Sequence, residues 1–410
     1  MTSTKIAEET PFEIAVPDAD IELLKKKLEL ARFPDELEGA DWSYGAPLAD
    51  IKRLVSHWKD GFDWRKHEAK INELPMFTRD IDVDAFGTLN IHYVHQQSDV
   101  KNAIPLLFVH GWPGHFLEVE KMLPMLTAAS PDHPSFHVVA PSLPGYGFSE
   151  GAHKPGFKAP QYAELFNKLM VALGYNEYVY QGGDWGGILG KAIVPTLGPK
   201  HIKAWHTNMP IMNPPTLLRN PLLFLQMLLT PFNKTIREGF EYTQRFVNLG
   251  SGYSKMHMTK PQTIGYSLAD SPVGLLAWIY EKLVAWTDEY PWTDDEVLRW
   301  ISIYYFSRAG PAASVRIYYE MSEGGTATLG LGHLSPATVP TGVSYFPGEL
   351  IRLPKSWAAL MGKTVYVGEH DKGGHFAAFE VPEVLAGDMF KMYGKGGGAF
   401  GVVPGKSGYD

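Results

Sequence analysis

The 410-residue chain contains no cysteine, which removes disulfides, thiolate metal sites, iron–sulfur clusters and cysteine nucleophiles from consideration. Positive charge is scarce too. There are 37 Lys and Arg against 45 Asp and Glu, a net of −8, and no long basic run, so no nucleic-acid partner is expected. The most apolar stretch, residues 221–232 (PLLFLQMLLTPF), is bounded by prolines, holds Gln226 and falls well short of the ~20 residues that cross a bilayer. It reads as a buried or half-buried helix. The opening segment (MTSTKIAEETPFEIAVPDADIELLKKK) lacks the apolar run of a signal peptide or anchor, so a cytoplasmic location is expected. Internal repeats are absent. The one low-complexity stretch, GKGGGAFGVVPGKSG after Tyr393, reads as a loosely ordered terminus.

What is present is a folded-protein composition, 45% hydrophobic and 20% charged, long enough for two or three domains or one large domain with an insertion. The first eighty residues are charged and helix-patterned, with Asp18 and Asp20 placed to cap IELLKKKLELA and Asp50 placed to cap IKRLVSHWK. Strand patterns follow at 89–95 (LNIHYVH), 104–109 (IPLLFV), 136–140 (FHVVA) and 177–181 (EYVYQ). Between the last two, residues 161–173 have helical spacing and stop at Gly174. Alternating strands and helices predict an α/β protein with a mostly parallel sheet. Residues 213–324 break that rhythm with helical, aromatic-rich patterns, and a strand returns at 363–368 (KTVYVG). The expected plan is a helical arm (1–80) packing on core and cap, a first core segment (81–212), a helical cap (213–324) and a second core segment with the tail (325–410).

Three near-motifs fail. Glu150 stands where a dinucleotide loop needs its third glycine, Trp357 where a phosphate loop needs its first, and Ile71 where a zinc-protease motif needs histidine. The segment YVYQGGDWGG succeeds. Gly182-x-Asp184-x-Gly186 follows a strand and precedes a helical stretch, the arrangement in which a strained turn thrusts one side chain above the sheet. Here that residue is Asp184, a carboxylate nucleophile suited to an sp³ carbon and an alkyl-ester intermediate. Upstream, FVHGWPG follows another strand. The backbone N–H groups of Trp112 and Trp185 would form a two-donor oxyanion hole. His375, late in the chain, suits the order nucleophile, acid, base. Glu349, Glu369 and Asp371 are the candidate acids, and the residues alone do not separate them.

With these motifs in order, the chain resembles an epoxide hydrolase of the α/β-hydrolase superfamily, in the microsomal-type branch that includes soluble fungal members. The likeness spans FDWRKHEAKINELPMF, HGWPG, SLPGYGFS, GGDWGG, TKPQTIGYSLADSPVGLLAWIYEK and GGHFAAFEVPE. It implies an α/β-hydrolase fold with helical cap and N-terminal meander arm, and hydrolysis of epoxides to vicinal diols. It further implies Asp184 as nucleophile, His375 as general base, and Glu349, in a Phe-Pro-x-acid segment, as the acid orienting that base. Tyr253 and Tyr318 are implied as proton donors to the epoxide oxygen, with Tyr319 adjoining the second. No cofactor and no metal are implied. The implied partners are a small apolar epoxide and water, with neither nucleic acid nor membrane anchor, and relatives suggest a homodimer. The aromatic-rich cap (Phe224, Phe232, Phe240, Phe246, Trp278, Trp286) also suits apolar substrates. A haloalkane dehalogenase would share the aspartate nucleophile but leave the two cap tyrosines without a role. A silent binding protein would need a broken set of catalytic residues.

Overall fold

Residues 104–109 have no polar face, and they form the middle of the sheet. The computed structural model of the protein describes residues 9–322, 325 and 335–410. The start of the expected arm (1–8), the end of the expected cap (323–324) and most of the start of the second core segment (326–334) lie outside the described residues. Nine strands, β1 (Thr10–Pro11), β2 (Met76–Val83), β3 (Gly87–Gln96), β4 (Ile104–Val109), β5 (Phe136–Pro141), β6 (Tyr178–Gly182), β7 (Ile202–Thr207), β8 (Ala337–Tyr345) and β9 (Gly362–Glu369), join in the order 1-2-3-5-4-6-7-8-9. The pairings β1–β2, β2–β3 and β3–β5 are antiparallel, and every pairing from β5 through β9 is parallel.

Helices cover both faces, as a parallel sheet requires. The arm supplies α1 (Asp18–Glu29), α2 (Leu48–Asp60) and α3 (Trp64–Ile71); α4 (Leu123–Thr127), α5 (Ala159–Ala172) and α6 (Asp184–Leu197) alternate with the strands. Leu107 and Val109 pack with Phe166 of α5 and Leu189 of α6, whereas Leu106 and Phe108 pack with Leu126 of α4 and Met389 of the last helix. Between β7 and β8 come α7 (Pro221–Leu228), α8 (Lys234–Arg245), a π turn (Phe246–Gly250), α9 (Gly252–Thr259), α10 (Pro261–Asp270), α11 (Pro272–Ala285), α12 (Asp294–Tyr305) and α13 (Arg316–Met321). The chain closes with α14 (Ala377–Glu380) and α15 (Pro382–Tyr393).

Several expectations require correction. Helices α1 and α2 start earlier than their aspartates suggest: Pro17 and Pro47 precede them, and Asp18, Asp20 and Asp50 lie inside the first turn without a side-chain cap bond. There their charge opposes the helix dipole's positive end. Asp50 also accepts the Tyr280 hydroxyl, tying the arm to α11 at 3.1 Å. The arm is not purely helical, because β1 and β2 extend the sheet. Residues 221–232 do form a helical segment, but most of its leucines face outward, and Phe232 is 86% exposed. The glycine-rich tail is docked. Ala399 and Val403 are buried, Ser135 N–H donates to the Gly408 carbonyl at 2.8 Å, and Gly408 N–H donates to the Asn102 carbonyl at 2.8 Å. Glycine lets the backbone itself serve as the contact surface there.

Candidate active site

Strand β6 ends at Gly182 and α6 begins at Asp184, with one residue, Gly183, for the reversal. Asp184 adopts φ +45°, a left-handed conformation that strains any side-chain-bearing residue. The glycines around it are spatial necessities. A Cβ on Gly182 would lie 2.7 Å from the Gly186 carbonyl oxygen, and one on Gly186 would lie 1.9 Å from that of Val109. Two further bonds lock the turn: Tyr180 Oη donates to the Gly186 carbonyl at 2.6 Å, and Thr207 Oγ1 to the Gly182 carbonyl at 2.7 Å.

The HGWPG turn after β4 lies directly over Asp184. Trp112 N–H donates to Asp184 Oδ1 at 2.7 Å, and a Cβ on Gly111 would stand 2.1 Å from that oxygen. Side chains of α12 hold the turn from behind: Trp300 Nε1 donates to the Pro113 carbonyl and Tyr304 Oη to that of Gly114, both at 2.6 Å. Trp185 is the second residue of α6, so its backbone N–H is one of the first-turn donors without an intrahelical acceptor.

His375 reaches the same carboxylate from the other side, with Nε2 3.4 Å from Asp184 Oδ2 and Nδ1 2.7 Å from Glu349 Oε1. Of the three acids left open by the sequence, Glu349 is the buried one. Glu369 pairs with Lys355 at the surface, and Asp371 is exposed. Burial works against a charged imidazole, but the Glu349 and Asp184 carboxylates outweigh it and hold the His375 pKa well above its ordinary value. Both carboxylates therefore favour the imidazolium form of His375.

Facing Asp184 from the cap are Tyr253 on α9 and Tyr318 on α13, both buried, their rings 5.9 Å apart. Tyr253 stacks on Trp112 at 5.0 Å, and Tyr318 meets the Trp185 ring edge-on at 4.7 Å. Burial raises both phenols far above their usual range, so both keep their protons. Tyr319 points to solvent at 39% exposure. Of the cap aromatics, Trp286 covers His375 at 5.1 Å and Phe246 packs on Trp286, whereas Phe240 sits on Trp357 and Phe232 lies at the surface.

Other residues of this site escaped the sequence reading. Lys282 of α11 is buried with its Nζ 5.0 Å from the Tyr253 ring centre, paired to Glu281. His257 of α9 accepts the Trp278 indole N–H at 3.1 Å and lies 4.8 Å from the Tyr318 ring. The His375 loop hangs from the cap: its N–H donates to the Trp286 carbonyl at 2.8 Å, and Gly373 N–H donates to Asp288 Oδ2 at 2.9 Å. Glu380 accepts both Asp288 N–H (2.8 Å) and Phe376 N–H (3.0 Å), and burial holds its carboxyl up to about 7. Glu118 packs against Gly114 of the HGWPG turn, pushed up to about 8 by burial. Lys282 and Trp278, inside TKPQTIGYSLADSPVGLLAWIYEK, and Glu380, inside GGHFAAFEVPE, stood in motifs, but their contacts with Tyr253, His257 and Asp288 join segments far apart in sequence. Among the described residues no three His, Asp or Glu side chains converge as a metal ion would require.

Comparison with known proteins agrees with this architecture. The family described as "Epoxide hydrolase N terminus" matches residues 9–119, and "alpha/beta hydrolase fold" matches residues 104–268. The chain is 35% identical to epoxide hydrolase 1 of Sus scrofa, over 94% of this chain and 88% of that one. Among solved structures, the Aspergillus niger epoxide hydrolase superposes with a TM-score of 0.80 at 32% identity, covering 93% of this chain and 95% of that one. The juvenile hormone epoxide hydrolase of the silkworm Bombyx mori gives 0.83 at 31%, covering 94% of each. With the α/β-hydrolase fold and the N-terminal segment both matched, the chain belongs to the epoxide hydrolases.

Proposed function

We propose that this enzyme opens epoxides through a covalent ester on Asp184 and releases vicinal diols. The observation that carries the reading is the line Glu349–His375–Asp184 with two protonated phenols across from the carboxylate. Asp184 Oδ2 attacks one epoxide carbon while the carbon–oxygen bond on its far side breaks. A proton from Tyr253 or Tyr318 goes to the departing oxygen, because an alkoxide is a poor leaving group. Asp184 Oδ1 remains as the ester carbonyl on the Trp112 N–H.

Esterification removes one of the two carboxylate charges that hold His375 protonated. The imidazole then releases its proton, returning the one lost by the phenol, and becomes a base. It takes a proton from water as that water attacks the ester carbonyl. The Trp112 and Trp185 N–H groups stabilise the oxyanion; on collapse the departing diol oxygen takes the proton from His375, and the proton left on the Asp184 carboxyl passes to His375, restoring the starting state. Glu349 holds the imidazole ring throughout.

The test is intact-protein mass spectrometry of His375→Gln after incubation with styrene oxide. The expected result is a gain of one substrate mass on the peptide carrying Asp184. Diol formation by wild type with no adduct on the variant would overturn the covalent mechanism.

A further inference from the structure

The cap carries an exposed apolar surface. Seven large apolar side chains between Leu217 and Phe232 face outward, among them Leu218 at 96% and Leu222 at 75% exposure. Val247 and Leu249, on the π turn that precedes the helix bearing Tyr253, are exposed as well. Scattered exposed leucines are ordinary; a continuous run of them marks a surface that meets something. Leu222, Leu225 and Leu229 recur at intervals of three and four, so they form one stripe.

The charge beside this stripe identifies its occupant. Residues 213–260 hold six Lys and Arg (Arg219, Lys234, Arg237, Arg245, Lys255, Lys260) and two acids (Glu238, Glu241) in a chain whose net charge is −8; Lys234 pairs with Glu238 and Arg237 with Glu241, so four positive charges are in excess. A second copy is a poor fit, since a twofold contact would set this basic patch against itself. An anionic bilayer complements both features, with leucines entering the headgroup–acyl boundary and cations among the phosphates. At eight residues α7 is far too short to span a bilayer, and among the described residues no helix is long and apolar enough to cross one.

We infer that the cap face formed by residues 217–249 docks this protein peripherally on anionic lipid bilayers. Apolar epoxides concentrate in such bilayers, and the chain runs from Leu249 in this face into the helix bearing Tyr253. The inference rests on surface exposure and charge, not on any catalytic assignment.

The test is co-sedimentation with vesicles of phosphatidylcholine, with or without phosphatidylglycerol. Wild type is expected to pellet with the anionic vesicles and to be released by salt. The variant Leu222→Glu/Leu225→Glu/Leu229→Glu should bind them about tenfold less while hydrolysing a small water-soluble epoxide at the wild-type rate. Should that variant fail to fold, Arg219→Glu/Lys234→Glu/Arg245→Glu decides: unchanged binding overturns the inference, and loss of the anionic preference supports it. A wild type left in the supernatant with both vesicle types overturns it. So does a wild-type dimer, by analytical ultracentrifugation, that the leucine variant dissociates without any vesicle binding. Binding is read without turnover, so an inactive enzyme would refute the proposed function and leave this inference standing.

Discussion

The proposed cycle depends on His375 changing its proton affinity midway, and that can be measured directly. Replacing Asp184 by Asn keeps the shape of the side chain and removes its charge, as esterification would. The charge lies 3.4 Å from His375 Nε2. At an effective dielectric of about 20, a unit charge at that distance is worth about 5 kcal/mol, or 3 to 4 pH units of midpoint. The partial exposure of Asp184, 15% for its side chain, lets solvent screen some of this, so a fall of at least two pH units is expected. The assay is an NMR titration of ¹⁵N-labelled imidazoles in wild type and Asp184→Asn, with the amide confirmed by mass before and after. A His375 midpoint within half a pH unit of wild type would refute the charge-release account. It would mean that Glu349 alone holds the proton.

Three other outcomes follow from the same geometry. Gly111→Ala places a methyl group on the Asp184 carboxylate, so the rate of ester formation in single-turnover experiments should fall by about 10²-fold. Lys282→Met keeps the bulk beneath Tyr253 and removes the cation that favours a developing phenolate. Ester formation should slow about tenfold and ester hydrolysis little, with Lys282→Arg restoring part of the loss. Acid should destabilise the fold. Burial holds His110 and His206 down to about 4, so each favours the folded state above the unfolded value of about 6.5 and loses that contribution, about 3 kcal/mol apiece, as pH falls toward 4. His67, His92, His115, His137 and His257 act in the same sense, and Glu118 and Glu380, held up by burial, oppose them with two groups against seven. Thermal melts should therefore show Tm dropping between pH 6.5 and 4.5, and a Tm that stays level would contradict the burial of these rings.

Much of this was legible in the chain because local rules sufficed. The apolar run 104–109 and the Gly-x-Asp-x-Gly turn were readable since sterics fix them within a few residues. Strands β1, β2, β7 and β8 were not anticipated. The first is only two residues long, and Arg79 in β2, His206 and Thr207 in β7 and Ser344 in β8 are polar yet buried, which blurs alternation. Distance in sequence hid the rest: nothing near Glu349 announces a histidine 26 residues on, and nothing near Lys282 announces Tyr253 beneath it. The exposed leucines of 217–232 were unreadable for a different reason. Hydrophobicity says that a segment avoids water, and only the fold says whether the protein itself provides the shelter.

The suspension of the His375 loop from the Trp286 carbonyl and the Asp288 carboxylate has a mechanical consequence. A lid that swung away as a rigid flap would carry His375 out of register with Asp184. Substrate must then enter by small movements within the cap while the Trp286–Asp288 corner stays fixed. Changes in cap sequence that reshape the pocket are confined by that corner: they can widen the doorway, but the hinge post must stay where the catalyst is hung.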